Sequence, residues 1–148
     1  MAHYAENRKA RFNYEFLEKY ETGIELLGTE VKSVRGGQMS LEGAFVIIRG
    51  GEAFIINANI PPFQPKNAPK DYDPLRNRKL LLTKKEIAEL SGSEKNKSLT
   101  IVPISVYNKG RKIKVEIALV KGKKKFDKRE TLKKRDTERE IRRDYKER

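Results

Sequence analysis

Ala44-Phe45-Val46-Ile47-Ile48-Arg49-Gly50-Gly51-Glu52-Ala53-Phe54-Ile55-Ile56 is the stretch that decides the fold. Two apolar runs flank a two-residue Gly-Gly link. Both link residues can take positive φ without a Cβ penalty, so the pattern predicts a tight antiparallel hairpin. Further along, residues 99–107 are apolar on both faces. That predicts a central strand, interrupted where Pro103 lacks a donor. Asn108-Lys109-Gly110 turns the chain. Ile113, Val115, Ile117 and Leu119 then alternate with Lys112, Lys114, Glu116 and Ala118, one face buried and the other mostly charged. Upstream, residues 12–27 carry Tyr14, Phe16, Leu17, Tyr20, Ile24, Leu26 and Leu27. They read as one long extended segment with a bulge at Gly23.

The intervening segments read as short helices and loops. Val31 and Val34, three apart, suit a helix over residues 29–35 that Gly36-Gly37 would end. Residues 61–74 hold four of the six prolines and read as an irregular surface loop. Thr83-Lys84-Lys85-Glu86 is a capping box, with Ile87 and Leu90 as a short apolar face and Gly92 as the stop. The order is long strand, helix, hairpin, helix, hairpin. Five strands with a helix between the third and fourth is the element order of an oligonucleotide-binding (OB) barrel. The expectation is a mainly β body over residues 1–120, an OB-like closed antiparallel barrel with accessory helices; closure would remove exposed edges. Residues 1–11 have little to bury and read as a frayed terminus.

Charge narrows the function. The chain carries 34 Lys or Arg against 21 Asp or Glu, a net +13. That balance points to nucleic acid or another polyanion. Basic groups cluster at residues 7–11, at Arg76, Arg78 and Lys79, and in a tail over residues 121–148. The tail holds 14 basic and seven acidic residues, and its apolar residues are too few for a core. Wound as a helix, Lys128, Leu132, Arg135, Arg139, Arg142 and Lys146 fall in a stripe about 80° wide that no acidic residue enters. The tail is therefore expected to be disordered when free and to fold along a polyanion. The absence of Cys excludes disulfides and thiolate chemistry. No apolar run reaches the roughly 20 residues of a membrane span, and the first residues lack the apolar core of a signal peptide. Cytoplasmic residence and no membrane partner are expected.

An enzyme would need a nucleophile, a poised acid or base, or a metal site. The one histidine, His3, stands near the terminus, and there is no phosphate-binding loop, dinucleotide fingerprint or metal-ligand spacing. The residues favour a non-enzymatic RNA-binding protein without cofactor or metal. Two other readings stay open on the residues alone: a general ribosomal or translation-factor RNA-binding protein, and a nuclease whose carboxylates meet in space.

Four strings go further: Asn7 to Arg11 (NRKAR), residues 28–37 (GTEVKSVRGG), the Asp73-Pro74…Arg76…Arg78-Lys79-Leu80-Leu81-Leu82 run, and residues 122–130 (GKKKFDKRE). In this order and spacing the chain resembles the SsrA-binding protein family, partners of transfer-messenger RNA. The resemblance implies binding of that RNA's tRNA-like domain and delivery to stalled ribosomes for trans-translation, by a protein expected to be a monomer. It implies that the tail becomes helical in the empty message channel, against ribosomal RNA. It places Asn7, Glu21 and Leu81 on the RNA-binding surface, Gly122-Lys123-Lys124 at a basic junction, and Asp127-Lys128-Arg129 in the tail signature. Together with the basic clusters, the expected RNA contacts are Asn7, Arg8, Lys9, Arg11, Glu21, Arg76, Arg78, Lys79, Leu81, Lys123 and Lys124. The expected ribosome contacts are Asp127, Lys128, Arg129, Arg135, Arg139, Arg142 and Lys146. Phe12 stands where many relatives carry His, so an aromatic role replaces an imidazole one.

Overall fold

The computed structural model describes residues 3–67, 69–94 and 98–122, the side chains of residues 11, 67 and 94 excepted. The elements run β1 (His3–Glu6), α1 (Arg8–Asn13), β2 (Tyr14–Gly23), α2 (Gly28–Arg35), β3 (Phe45–Arg49), β4 (Glu52–Ile56), β5 (Arg78–Leu80), α3 (Lys84–Glu94), β6 (Leu99–Lys109) and β7 (Lys112–Gly122). The Gly-Gly hairpin forms as the residues require, with Gly50 at φ 57° and Gly51 at φ 75° between β3 and β4. The capping box at Thr83 also forms: Glu86 accepts from the Thr83 amide (3.0 Å) and Thr83 Oγ1 from the Glu86 amide (3.2 Å). The helix it opens runs past Gly92 to Glu94.

The strands make one antiparallel sheet in the order β2-β7-β6-β3-β4-β5, with β1 added to β6. A closed barrel would need a ladder between the ends of that path. The ends meet instead through one bridge, Ile24 to Leu80, flanked by hydrogen bonds from the Glu25 amide to Lys79 O and from the Leu81 amide to Gly23 O, both 2.9 Å. β5 is three residues long, too short to hold ladders on both sides. The architecture is thus a mainly antiparallel sheet with few helices.

Three local expectations change. The frayed terminus is a strand followed by a helix. Tyr4 and Ala5 of β1 pack on the main core, and Ala10 of α1, 1% exposed, packs with Val102, Ile104, Ala118 and Val120. The bulge of β2 lies between Phe16 and Glu18, where the register to β7 shifts, and not at Gly23. Pro103 stays inside β6 because the register to β7 shifts between Pro103 and Ser105. The main core gathers Val34, Leu41, Ile55, Leu80, Leu90 and Ile117.

A buried ionic network ties this core to α2. Glu30, 1% exposed, accepts from the Leu27 amide (2.8 Å), from Arg76 Nε (3.0 Å) and Nη2, and from Arg78 Nε (2.8 Å) and Nη2 (2.5 Å). Arg78, fully buried, also donates to Ala58 O (2.8 Å) and Pro74 O (3.1 Å). The Tyr72 hydroxyl lies 3.0 Å from Glu30 Oε2 and 2.7 Å from Ile60 O. Fork-shaped guanidinium groups suit this multiple pairing, and a buried charge is tolerated only when its donors and acceptors are matched. The RNA contacts expected at Arg76 and Arg78 are therefore corrected: both side chains are spent on Glu30, and Arg78 has no surface to offer.

Burial works against the Glu30 charge, but the hydrogen bonds from Arg76, the Leu27 amide and Arg78 outweigh it and hold the carboxyl at about 2, below its ordinary 4.5. A carboxyl lowered on folding adds stability above its unfolded value and loses it as pH falls toward the folded value. Glu30→Gln should cost about 3–5 kcal/mol in chemical denaturation near neutral pH, because it leaves two buried cations uncompensated. It should also remove the part of the wild-type stability loss that falls between pH 4.5 and about 2. An unchanged denaturation midpoint would contradict the network's role.

Candidate nucleic-acid interface

Cross-strand register builds the outer face of the sheet. Gly23 of β2 faces Lys114 of β7, which faces Tyr107 of β6, which faces His3 of β1. The neighbouring row is Glu21, Glu116, Ser105 and Glu6. Glu21 accepts from the Tyr107 hydroxyl and from Lys109 Nζ (2.9 Å). These two bonds, the Tyr107 one foremost, hold its carboxyl below the usual range. A carboxylate on an RNA-facing surface needs a donor to orient or a cation to fix, and Glu21 has both. Tyr107 and Lys109 escaped the sequence reading; the alternation of β7 placed charges on this face, but only the register shows which of them meet Glu21.

Leu81 follows β5 directly and is 53% exposed, whereas Leu80 (1%) and Leu82 (9%) are buried. The exposed leucine lies against Gly23, where an added Cβ would sit 3.1 Å from Leu81 Cδ1. Core packing is thereby ruled out for Leu81. Lys79, on the same face, pairs with Glu52 (3.1 Å).

The amino-terminal box forms a second part of the surface. Asn7 donates from its amide side chain to Pro103 O (3.0 Å) and from its backbone to Ile104 O (2.8 Å). Its Nδ2 thus serves the Pro103 bulge, where the sequence reading offered the amide to RNA. Arg8 and Lys9 are exposed on α1, and Lys9 pairs with Glu42. They line an open cleft of about 750 Å³ together with Phe12, Lys19 and Glu116. The Arg11 side chain lies outside the described residues, as do Lys123, Lys124, Asp127, Lys128, Arg129, Arg135, Arg139, Arg142 and Lys146. Gly122, the last residue described, pairs in register with Tyr14 beside α1, so the tail leaves the body next to the Arg8–Lys9 cleft. Among the described residues no His, Asp and Glu cluster could hold a metal ion, and no helix is long and apolar enough to cross a membrane.

Known proteins share this pattern of residues and strands. The model of the family described as "SmpB protein" matches residues 4–147. The SsrA-binding protein of Thermosynechococcus vestitus is 50% identical over 144 residues, covering 97% of this chain and 95% of the relative. That of Sulfurihydrogenibium sp. is 54% identical over 142 residues, covering 96% and 93%, and that of Mesoplasma florum is 54% identical over 140 residues, covering 95% and 94%. A solved structure described as "tmRNA-SmpB: a journey to the center of the bacterial ribosome" contains a similar chain, with a TM-score of 0.68 and 43% identity. The alignment covers 86% of this chain and 92% of that one. With its sheet, its surface and its amino-terminal box all inside the span matched, the chain belongs to the SmpB protein family.

Proposed function

We propose that this chain binds transfer-messenger RNA through its body and delivers it to stalled ribosomes, with the basic tail sensing an empty message channel. One observation carries the reading: the family match runs from residue 4 to residue 147, so it takes in the body and the tail together. The relatives are SsrA-binding proteins, and the solved neighbour is a tmRNA–SmpB structure of the bacterial ribosome. The function is one of binding and positioning, without catalysis, in the cytoplasm where ribosomes work, by a monomer. The body, residues 1–120, serves as an OB-like barrel, a reading supported by the bridge between Ile24 and Leu80. Its contacts are Arg8, Lys9, Glu21, Lys79 and Leu81, with Asn7 holding the amino-terminal segment in place and Lys123 and Lys124 at the junction. The tail, residues 121–148, folds on ribosomal RNA along the Lys128–Lys146 stripe.

The electrostatics of the two parts differ in kind. Exposed cations such as Arg8 and Lys9 neutralise phosphates and release counterions, so they set how steeply affinity falls with salt. Ordering the tail costs roughly 1–2 kcal/mol of backbone entropy per residue, which only a channel lined with phosphates would repay.

Replacing Arg8 and Lys9 with Ala should reduce the slope of log affinity against log salt by roughly one unit for each phosphate no longer neutralised. A titration of the tRNA-like domain RNA across salt concentrations measures it, and an unchanged slope would move the phosphate-binding groups elsewhere. For the tail, exchanging Arg139 with Glu138 and Arg135 with Asp136 keeps net charge but breaks the stripe. That double exchange should leave binding to free transfer-messenger RNA unchanged and sharply lower rescue of stalled ribosomes in a reconstituted translation assay. Full rescue by the exchanged protein would show that bulk charge suffices.

A further inference from the structure

A recess of about 470 Å³ opens on the outer face where the two ends of the sheet meet. Its floor is apolar: Leu81, Leu26 and Ile113 contribute side chains that are exposed or half-buried. Gly23 makes the space. Gly23 carries no side chain on the outer row, with Leu81 bonded to its carbonyl on one side and Lys114 paired to it on the other. Any larger residue there would press on Leu81.

The rim is cationic. Arg35 at the end of α2, Arg111 in the β6–β7 turn, and Lys112 and Lys114 of β7 all line the recess, and no Asp or Glu does. Arg35 Nη2 donates to Arg111 O (3.0 Å), which fixes the helix end against the turn and gathers the cations on one side. The nearest acid on the strand, Glu21, is already engaged by Tyr107 and Lys109. An apolar floor of this size beneath uncompensated cations fits a group that is flat and apolar on one side and anionic on the other. A nucleotide lifted out of its stack has that form: bases press on apolar or aromatic surfaces while phosphates seek Arg and Lys.

We propose that this recess takes one unstacked nucleotide of single-stranded RNA, its base on the Leu81–Ile113 floor and its phosphates among Arg35, Arg111, Lys112 and Lys114. The inference rests on the reading of the body as a binder of transfer-messenger RNA and adds the subsite that reading lacks. It gives Leu81 a defined partner, a base without a neighbour to stack on, and it brings in Arg35, Arg111 and Lys112 as contacts. It also explains why the position between Leu81 and Lys114 is a glycine.

A double-mutant cycle with the RNA as one partner tests it. The full chain is titrated against the tRNA-like domain RNA and against versions in which each single-stranded loop nucleotide in turn is abasic, first with the wild type and then with Leu81→Ala. Because Leu81 is exposed, the variant should fold, and its thermal transition checks this. Wild-type binding is expected to weaken on the order of tenfold at one abasic position. Leu81→Ala should bind the intact RNA about as weakly and lose nothing further at that position, the non-additivity expected of groups in contact. Arg111→Ala should lower the salt slope by about one unit. No sensitive position, or fully additive losses, would overturn the pocket while leaving RNA binding itself intact. Failure of the wild type to bind the unmodified RNA would instead overturn both the pocket and the function it rests on.

Discussion

The buried carboxylate of Glu30 is the constraint on which the surface depends. A charge removed from water must be matched from all sides, and two guanidinium groups, a tyrosine hydroxyl and a backbone amide surround this one. Because the donors come from residues 72–78 and the acceptor from α2, the ion pair clamps the helix to the start of β5. Two consequences follow from the same clamp. α2 presents Arg35 at its far end, and β5 delivers Leu81 to the side of Gly23. The cationic rim and the apolar floor of the outer recess are therefore placed by an interaction that never reaches solvent. Hydrophobic replacement of such a network can be as stable as the network itself. Its use here is positional: the partners are specific, so only one alignment of helix and strand satisfies them.

The sheet sets a second, looser constraint. β6 and β7 are 11 residues each, and they carry the other strands on both sides. Their irregularities fall where function needs them. The shift at Pro103 opens carbonyls that Asn7 and its backbone amide satisfy, and this seats the Arg8–Lys9 helix on the outer face. Basic groups that composition treats as one pool are thus divided by geometry. Some hold the fold, as Arg76 and Arg78 do. Others line open clefts, as Arg8, Arg111 and Lys112 do.

Much of the body was legible in the sequence because local chemistry decided it. A Gly-Gly link with both residues at positive φ, a Thr-x-x-Glu cap and the alternation of β7 each carry their own structure, and all three appear in place. What escaped depends on partners far along the chain. Arg78 looked like surface charge because arginine is seldom fully buried, and its acceptor lies 48 residues away. Gly23 looked like a bulge, since a lone glycine in a strand often marks one. Its reason is the side chain of Leu81, which sequence spacing could not place. β1 was read as frayed because four residues show no periodicity, yet Tyr4 and Ala5 find the core through β6. Leu81 itself was named through family likeness, and pattern alone could not separate it from Leu80 and Leu82.

The central claim is that the outer face joining β2, β5 and β7 is where RNA lies, on a frame held by the Glu30 network. Amide chemical-shift mapping by NMR on the full chain, with and without the tRNA-like domain RNA, addresses it directly. The account predicts the largest shifts at Gly23, Leu81, Arg111, Lys112 and Lys114, with small ones at Ala58, Ile60 and the amides around Glu30. Shifts concentrated instead on the proline-rich loop at residues 61–72, with the Gly23–Leu81 junction silent, would contradict it.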